Sequence, residues 1–186
     1  QLIDEVKKSE SDGTRLLVLE GVGDSFCAGF DFSNIPQIYT DLLILVSARS
    51  TGSETYLAAA LNDNGGSVYS LRYPDANGSS AASGSSSTSY FVKFGSIASS
   101  SYTSNTFANS SIYIPNYTGS TNKSISIDGV TENNATTSYQ NITAALFAST
   151  APITKIYITG NSANLAQYST ATLYGILKGS GGATVS

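Results

Sequence analysis

The chain has 186 residues and a net charge of −4, with one cysteine and no histidine, methionine or tryptophan. Because histidine is absent, no Ser-His-Asp triad, Cys-His pair or imidazole metal site can form, which excludes the commonest catalytic devices of neutral pH. The single cysteine, Cys27, excludes a disulfide within the chain. A chain of this length is sufficient for one domain with a core of its own.

The charge is unevenly distributed. Residues 1–35 contain 3 basic and 7 acidic side chains, whereas residues 36–186 contain 6 of each. Without a basic cluster the chain lacks the electrostatic footprint of a nucleic-acid-binding protein, so we expect no nucleic-acid partner. Apolar runs such as Leu42–Val46 are far shorter than the roughly 20 residues of a membrane-spanning helix, and no charged leader precedes an apolar stretch. We therefore expect no membrane partner either.

Residues 1–30 form a segment that differs in texture from the rest of the chain. The apolar residues at positions 2, 3 and 6 have the spacing of one short amphipathic helix over Gln1–Glu10. A continuous apolar run within residues 15–20 then predicts a buried strand. The sequence thus predicts a short, atypical helix-strand segment at this end of the chain.

From about residue 31 the composition becomes typical of β-sheet. Of the 151 residues from 36 to 186, 46 are Ser or Thr, and the apolar runs are short, β-branched or aromatic. The pattern predicts an all-β, antiparallel β-sandwich over 31–178, followed by a Gly/Ser tail at 179–186. Nine strands are expected, at 41–49, 56–61, 67–73, 89–97, 106–114, 122–131, 139–148, 153–159 and 170–178.

Other positions carry more local predictions. The low-complexity stretch at 76–89 contains almost only Ser, Gly and Ala, so we expect a mobile surface loop there. Tyr39 is expected to bury its ring while its hydroxyl bonds to backbone. Gly175 lies inside a predicted strand, which indicates a bulge or a close approach of another group to the backbone.

One block of the N-terminal segment has an enzymatic interpretation. Residues 12–32 read DGTRLLVLEGVGDSFCAGFDF and resemble the first conserved block of the crotonase (enoyl-CoA hydratase/isomerase) family. The resemblance implies that the backbone N–H of Ala28 points at a thioester oxygen, and that Ala28 and Gly29 are small enough for this close approach. After residue 35 we find no second oxyanion donor, no proton-transferring group and no CoA pocket, all of which such a site requires.

A structural interpretation explains the same residues. Leu16–Leu19 and Phe26–Phe32 would then be the first two strands of the sandwich, joined by a turn at Gly21–Asp24. A fused, recombined or misassigned N-terminal segment is a further alternative. The sequence leaves all three open.

A second resemblance covers most of the chain, about residues 28–176. Four blocks carry it in order: FDFSNIPQIYTDLLILVSARS (30–50), SSIYIPNYTGSTNKSISIDGVTENN (110–134), AALFASTAPITKIYI (144–158) and QYSTATLYGI (167–176). Together they resemble a family of β-rich virion proteins of tailed bacteriophages. The resemblance implies a sandwich of jelly-roll type, a place in the virion, contacts with other capsid or tail proteins, and a homo-oligomer, for which we expect a trimer.

These observations lead to three functional hypotheses. We predict a non-enzymatic bacteriophage structural protein, either a capsid decoration or cement protein or another exterior virion component. The first alternative is a tail-fibre or receptor-binding module that holds host surface glycans on aromatic platforms. The candidate platforms are Tyr56, Tyr69, Tyr73, Tyr90, Tyr102 and Tyr117. The second alternative is a crotonase-like acyl-CoA hydratase or isomerase fragment.

Few side chains could carry chemistry or hold a metal. Asp128 with Glu132, or Asp63 with Asp75, could form a carboxylate pair, and the Asn-Asp-Asn run at 62–64 offers oxygen ligands for calcium. Acidic residues in a loop-rich chain are more often solvated, and an Asn-Asp-Asn-Gly run is more often a turn. We therefore predict no catalytic, cofactor-binding or metal-binding residues, and no cofactor.

Overall fold

The computed structural model describes residues 18–20, 28–76, 80–133 and 136–177. Those ranges contain eleven β-strands and no helix, so the predicted all-β class is confirmed. The helix predicted at 1–10, the turn predicted at 21–24 and the tail at 179–186 lie outside the described residues. The strands are β1 (Val18–Glu20), β2 (Gly29–Ser33), β3 (Asp41–Ala48), β4 (Ala58–Leu61), β5 (Tyr69–Ala76), β6 (Ala81–Thr88), β7 (Ala108–Ile114), β8 (Lys123–Glu132), β9 (Ser138–Phe147), β10 (Lys155–Thr159) and β11 (Thr170–Ile176).

The strands form two antiparallel sheets. The large sheet has eight strands in the order β1-β11-β3-β7-β8-β9-β5-β6, and the small sheet has three in the order β2-β10-β4. Burial alternates along the strands, most regularly in β8, where every second residue from Lys123 to Thr131 is buried. This period of two is what a sheet with one covered face requires.

The core contains side chains from both sheets. A row of buried apolar side chains crosses the large sheet through the register partners Leu173, Ile44, Ile112 and Ile127. The small sheet adds Phe30, Phe32, Ala59, Leu61, Ile156 and Ile158 to the same cluster. Complete burial of one such large side chain stabilises a fold by about 1.5–3 kcal/mol, so this shared cluster is the main stabilising feature of the two-sheet arrangement.

Eight of the nine predicted strands coincide with observed ones, and the prediction for 89–97 is wrong. Isolated bridges at Phe91 and Ser96 connect that segment to residues 56–59. Phe91, Phe94 and Ile97 are all fully buried, a spacing of three residues that a strand of period two cannot place on one face. Gly95 adopts a φ of +141°. The segment is therefore an irregular stretch that fills the core.

The loop predicted at 76–89 is also wrong over most of its length. Residues 81–88 form β6, which pairs with β5 through eight consecutive register partners and lies at the edge of the large sheet. Backbone hydrogen bonds, which do not depend on side-chain type, hold such a strand. Its small residues also serve packing, because a Cβ at Gly84 would lie 2.6 Å from the Tyr73 hydroxyl.

The described part of the N-terminal segment forms strands in two different sheets. Val18–Glu20 pairs with β11, whereas Gly29–Ser33 pairs with β10. Both strands overlap those that the structural interpretation of these residues predicts. The two strands are nevertheless not neighbours in one sheet.

Tyr39 and Gly175 form one packing unit. The Tyr39 ring is buried and covers Gly175, where an added Cβ would overlap the ring. The close approach predicted at Gly175 is therefore confirmed, and a side chain makes it. The expectation for the hydroxyl of Tyr39 is wrong, because that oxygen is buried and has no hydrogen-bond partner among the described residues.

A buried lysine joins two loops of the large sheet. Lys123 is 1% exposed, and its ammonium donates to the carbonyl oxygens of Gly119, Thr121, Ala151 and Ser149 at 2.6, 2.7, 2.9 and 3.2 Å. Burial lowers the pKa of Lys123. The contacts connect the loop that follows β7 to the loop that follows β9.

Candidate functional site

A cavity of about 250 Å³ lies where β5, β8 and β9 meet the segments around residues 55 and 100. We call it the tyrosine-lined cavity. Its walls combine aromatic rings and alanine methyl groups with hydroxyls, amides and one carboxylate, and most of the exposed lining surface is apolar. The lining residues are Thr55, Tyr56, Asp75, Ala76, Ser80, Ala82, Ser96, Tyr102, Thr131, Tyr139, Gln140 and Asn141.

One wall is organised around the ion pair between Asp75 and Lys93. The Lys93 Nζ lies 3.6 Å from the ring centroid of Tyr56 and 3.9 Å from that of Tyr73, so two aromatic rings flank the ammonium. The side chains of Lys93 and Asp75 are 13% and 22% exposed. Cation–π contacts and the carboxylate together stabilise a cation that is largely removed from water.

Buried side chains on β9 orient the carboxylate of Asp75. Asn141 is 2% exposed, and its Nδ2 donates to Asp75 Oδ1 at 2.5 Å. The Oδ1 of Asn141 in turn accepts a hydrogen bond of 3.0 Å from Thr143 Oγ1. Such a connected network in a region of low dielectric fixes the geometry of each member. Asp75 is thus held in place before any ligand arrives.

A second wall consists of two parallel tyrosine rings. Tyr102 and Tyr139 stack with centroids 5.8 Å apart and an interplanar angle of 5°. Burial, followed by the charge and the hydrogen bond of Tyr139, raises the pKa of Tyr102 to about 12. Burial and the neighbouring Asp75 raise the pKa of Tyr56 to about 12 as well. Both phenols are therefore neutral hydrogen-bonding groups at neutral pH.

A different surface feature is the exposed side of the large sheet, which we call the outer face. Its large apolar side chains are between 37% and 47% exposed, and they are Leu45, Tyr113, Val130, Ile142 and Leu146. Leu45, Ser111, Asp128 and Ile142 are register partners in one row across four strands. Aliphatic and hydroxyl side chains thus occupy the row around a single carboxylate.

The structure separates the six predicted tyrosine platforms into groups. Tyr56 and Tyr102 line the tyrosine-lined cavity, and Tyr73 contacts Lys93 beside it. Tyr69 and Tyr117 are 1% and 0% exposed, so the prediction that they offer surface platforms is wrong. Both rings are part of the core. Their hydroxyls can be buried because each donates to a backbone carbonyl: the Tyr69 hydroxyl to Leu61 and the Tyr117 hydroxyl to Pro36. Tyr90 lines a separate open groove beside β4.

Sequence reasoning missed Lys93, Tyr139, Gln140 and Asn141. The last three are consecutive and stand at the beginning of a strand, where polar residues are common. The site depends on register, because Asp75 and Ala76 on β5 pair with Asn141 and Gln140 on β9. Nothing in the local sequence indicates that pairing, which joins positions 66 residues apart.

The two proposed carboxylate pairs are not assembled. Asp63 bonds to Lys155 at 3.0 Å, while Asp75 pairs with Lys93, and they line different cavities. Asp128 and Glu132 are both exposed on β8 four residues apart, which corresponds to about 13 Å along a strand. That exceeds the separation of about 5–9.5 Å used by paired catalytic carboxylates.

The run at 62–64 has the structure of a turn. Asn62 and Asp63 have φ values of 54° and 52°, and Asn62 Oδ1 accepts a 2.8 Å hydrogen bond from the Thr154 backbone N–H. Asn64 Oδ1 accepts from the N–H of Gly66 at 2.8 Å. The side-chain oxygens of Asn62 and Asn64 thus accept hydrogen bonds from backbone N–H groups. Within the described residues, no group of three or more Cys, Asp or Glu side chains could hold a metal ion.

Ala28 and Gly29 lie at the beginning of β2. The carbonyl of Ala28 accepts a hydrogen bond of 2.7 Å from Thr159 Oγ1. A Cβ at Gly29 would lie 2.8 Å from the ring of Tyr157. The small residue at this position therefore permits close pairing of β2 with β10.

The described ranges contain no helix that could span a membrane. No protein-family model, curated protein or solved structure matches the chain.

Proposed function

We propose that the two sheets form a sandwich of jelly-roll type. In a jelly roll the first strand lies beside the last, the second beside the last but one, and the third and fourth follow in their respective sheets. The orders β1-β11-β3-β7 and β2-β10-β4 support this arrangement. The irregular segment at 89–97, which bridges to β4 at Ala59, takes the position of the remaining strand.

Under this proposal, the remaining strands are two insertions. The hairpin β5-β6 is inserted after β4, and the hairpin β8-β9 after β7, and together they extend the large sheet beyond β7. The extension explains why the sheets differ so much in width. It also creates the tyrosine-lined cavity, since β5, β8 and β9 contribute to its lining.

We further propose that the protein is a non-enzymatic structural component of a tailed-bacteriophage virion, a capsid decoration or cement protein or another exterior part. The observation that carries this proposal is the outer face, where Leu45, Tyr113, Val130, Ile142 and Leu146 are exposed on a single sheet surface. The sequence resemblance over 28–176 indicates the virion as its setting. The proposed partners are other capsid or tail proteins and further copies of this chain, in a trimer.

The outer face combines apolar and hydrogen-bonding groups. Aliphatic and tyrosine side chains supply apolar area, and the intervening serines supply hydrogen bonds, which suits a polar and partly hydrated interface. Strands of a paired sheet are rigid, so association costs little conformational entropy. The proposed role is therefore mechanical contact, with no reaction at this face.

The test uses purified protein, empty capsids and purified host envelope. Binding to capsids but not to envelope supports decoration, and Ile142→Lys should weaken that binding by at least about tenfold. Tyr168→Ser is the matched control, because Tyr168 is 73% exposed but lies outside the strands. Capsid binding that Ile142→Lys leaves intact would remove the outer face from the proposal. Imaging of intact particles would show the position and number of copies.

The two other hypotheses remain predictions. A receptor-binding or tail-fibre role is favoured by a separate observation, the tyrosine-lined cavity with Tyr56 and Tyr102 in its walls. The crotonase-like hypothesis predicts thioester turnover that is lost on substitution of Ala28 or Gly29. An assay with a short-chain enoyl-CoA tests it directly.

A further inference from the structure

The charges at the tyrosine-lined cavity neutralise one another. Asp75 is the one charged side chain among the lining residues, and its carboxylate is paired with the ammonium of Lys93. That ammonium faces the rings of Tyr56 and Tyr73. A charged ligand would therefore find no unpaired opposite charge on these walls and would lose hydration on entry. The balance favours a neutral ligand.

The polar groups of the cavity suit a ligand with several hydroxyls. A carboxylate offers about four acceptor positions, and in Asp75 three of them are used by Asn141, Lys93 and the Tyr56 hydroxyl. Asn141 Nδ2 carries a second N–H beyond the one it donates to Asp75. Donors and acceptors thus stand side by side, as recognition of neighbouring hydroxyl groups requires.

The aromatic walls suit the apolar side of a ring. Tyr102 and Tyr139 are parallel, stacked and half-buried, so the pair forms a rigid aromatic wall that orders few rotatable bonds on binding. The cavity of about 250 Å³ lies just below the range of about 300–1,000 Å³ that is usual for drug-sized ligands. Its size therefore matches one small ring.

We propose that the tyrosine-lined cavity binds a neutral saccharide, with one hexose ring against Tyr102 and Tyr139 and its hydroxyls on Asp75 and Asn141. Sugar rings combine an apolar C–H side with a dense array of hydroxyls, and this pairing of features matches the two kinds of wall. The site is separate from the outer face, so sugar binding can be tested independently of capsid binding.

Saturation-transfer NMR on the full chain tests the proposal. The probes are glucose, galactose, mannose and N-acetylglucosamine at about 10 mM, a concentration suited to weak sites, with glucuronic acid, glucosamine and adenosine as comparison ligands. We expect signal transfer to the ring protons of at least one neutral sugar, and weaker transfer to the charged sugars and to adenosine. Absence of transfer to every neutral sugar overturns the proposal, as does preferential binding of a charged sugar or of adenosine.

Two substitutions locate the binding. Tyr102→Leu and Tyr139→Leu each remove one ring of the stacked pair. We expect each substitution to weaken sugar binding by at least about fivefold. Tyr113→Leu on the outer face is the control and should leave sugar binding unchanged. Sugar binding that survives both cavity substitutions would place the ligand elsewhere and overturn the assignment.

Discussion

Replacement of Lys123 by methionine measures what a buried cation contributes to this fold. The ammonium donates to four carbonyl oxygens at 2.6–3.2 Å, and a hydrogen bond from a charged donor contributes about 1.5–3 kcal/mol. An ammonium has three hydrogens, and its burial costs several kcal/mol, so only part of that gross value remains as net stabilisation. Lys123→Met keeps most of the side-chain volume and leaves the carbonyls without their donor. We expect a loss of about 3–5 kcal/mol, a large fraction of the about 5–15 kcal/mol typical of a domain.

Urea unfolding followed by tyrosine fluorescence gives the measurement. With a slope near 2 kcal/mol per molar urea, the expected loss lowers the midpoint by about 1.5–2.5 M. Lys155→Met is the matched control, because the Lys155 side chain is 30% exposed and bonds to Asp63 at the surface. Surface pairs of this kind contribute little to stability, because water and salt screen them. Equal small losses in the two variants would refute the reasoning that the carbonyl cluster depends on Lys123.

Two other predictions concern the core. Gly175→Ala places a Cβ against the Tyr39 ring and should cost about 1–3 kcal/mol in urea unfolding; adding Tyr39→Leu should recover part of that loss, and strictly additive effects in the double variant would contradict the contact. Burial raises the pKa of Tyr117 to about 12 from 10.0, so between these values the unfolded chain has lost a proton that the folded protein keeps. Stability should therefore fall as pH rises through this window, by up to about 1.4 kcal/mol per pH unit from this residue. Unfolding measured at about pH 9 and about pH 11 should show a smaller pH effect in Tyr117→Phe, and an unchanged effect would contradict the assignment.

The regular strands were predictable because their signal is local. Alternation in β8 places Ile125 and Ile127 on one side and Ser126 and Asp128 on the other, and the burial pattern follows it. Residues 89–97 misled the prediction because their aromatic and β-branched residues are typical of strands, whereas tertiary packing buries both faces of the segment. The strand β6 was not predicted because its residues are small and mostly polar, and backbone pairing with β5 stabilises it.

The candidate site was predictable only in fragments. Tyr56 and Tyr102 were candidates because they are aromatic, and Asp75 because it is acidic. Their assembly into one cavity depends on β5 pairing with β9 and on Lys93 reaching Asp75. Both contacts join distant parts of the chain, and a single sequence carries no signal for such register.

The strand order of the extension has a consequence for how the chain is completed on the ribosome. Strand β5 attaches to the large sheet through β9, although β9 follows it by more than sixty residues. During synthesis the earlier hairpin, β5-β6, emerges long before its docking strand exists, and pairing between such distant segments is intrinsically slow. Within the extension, the last part to close is therefore the seam between β5 and β9, and a nascent chain stalled before residue 138 would still hold an unattached hairpin.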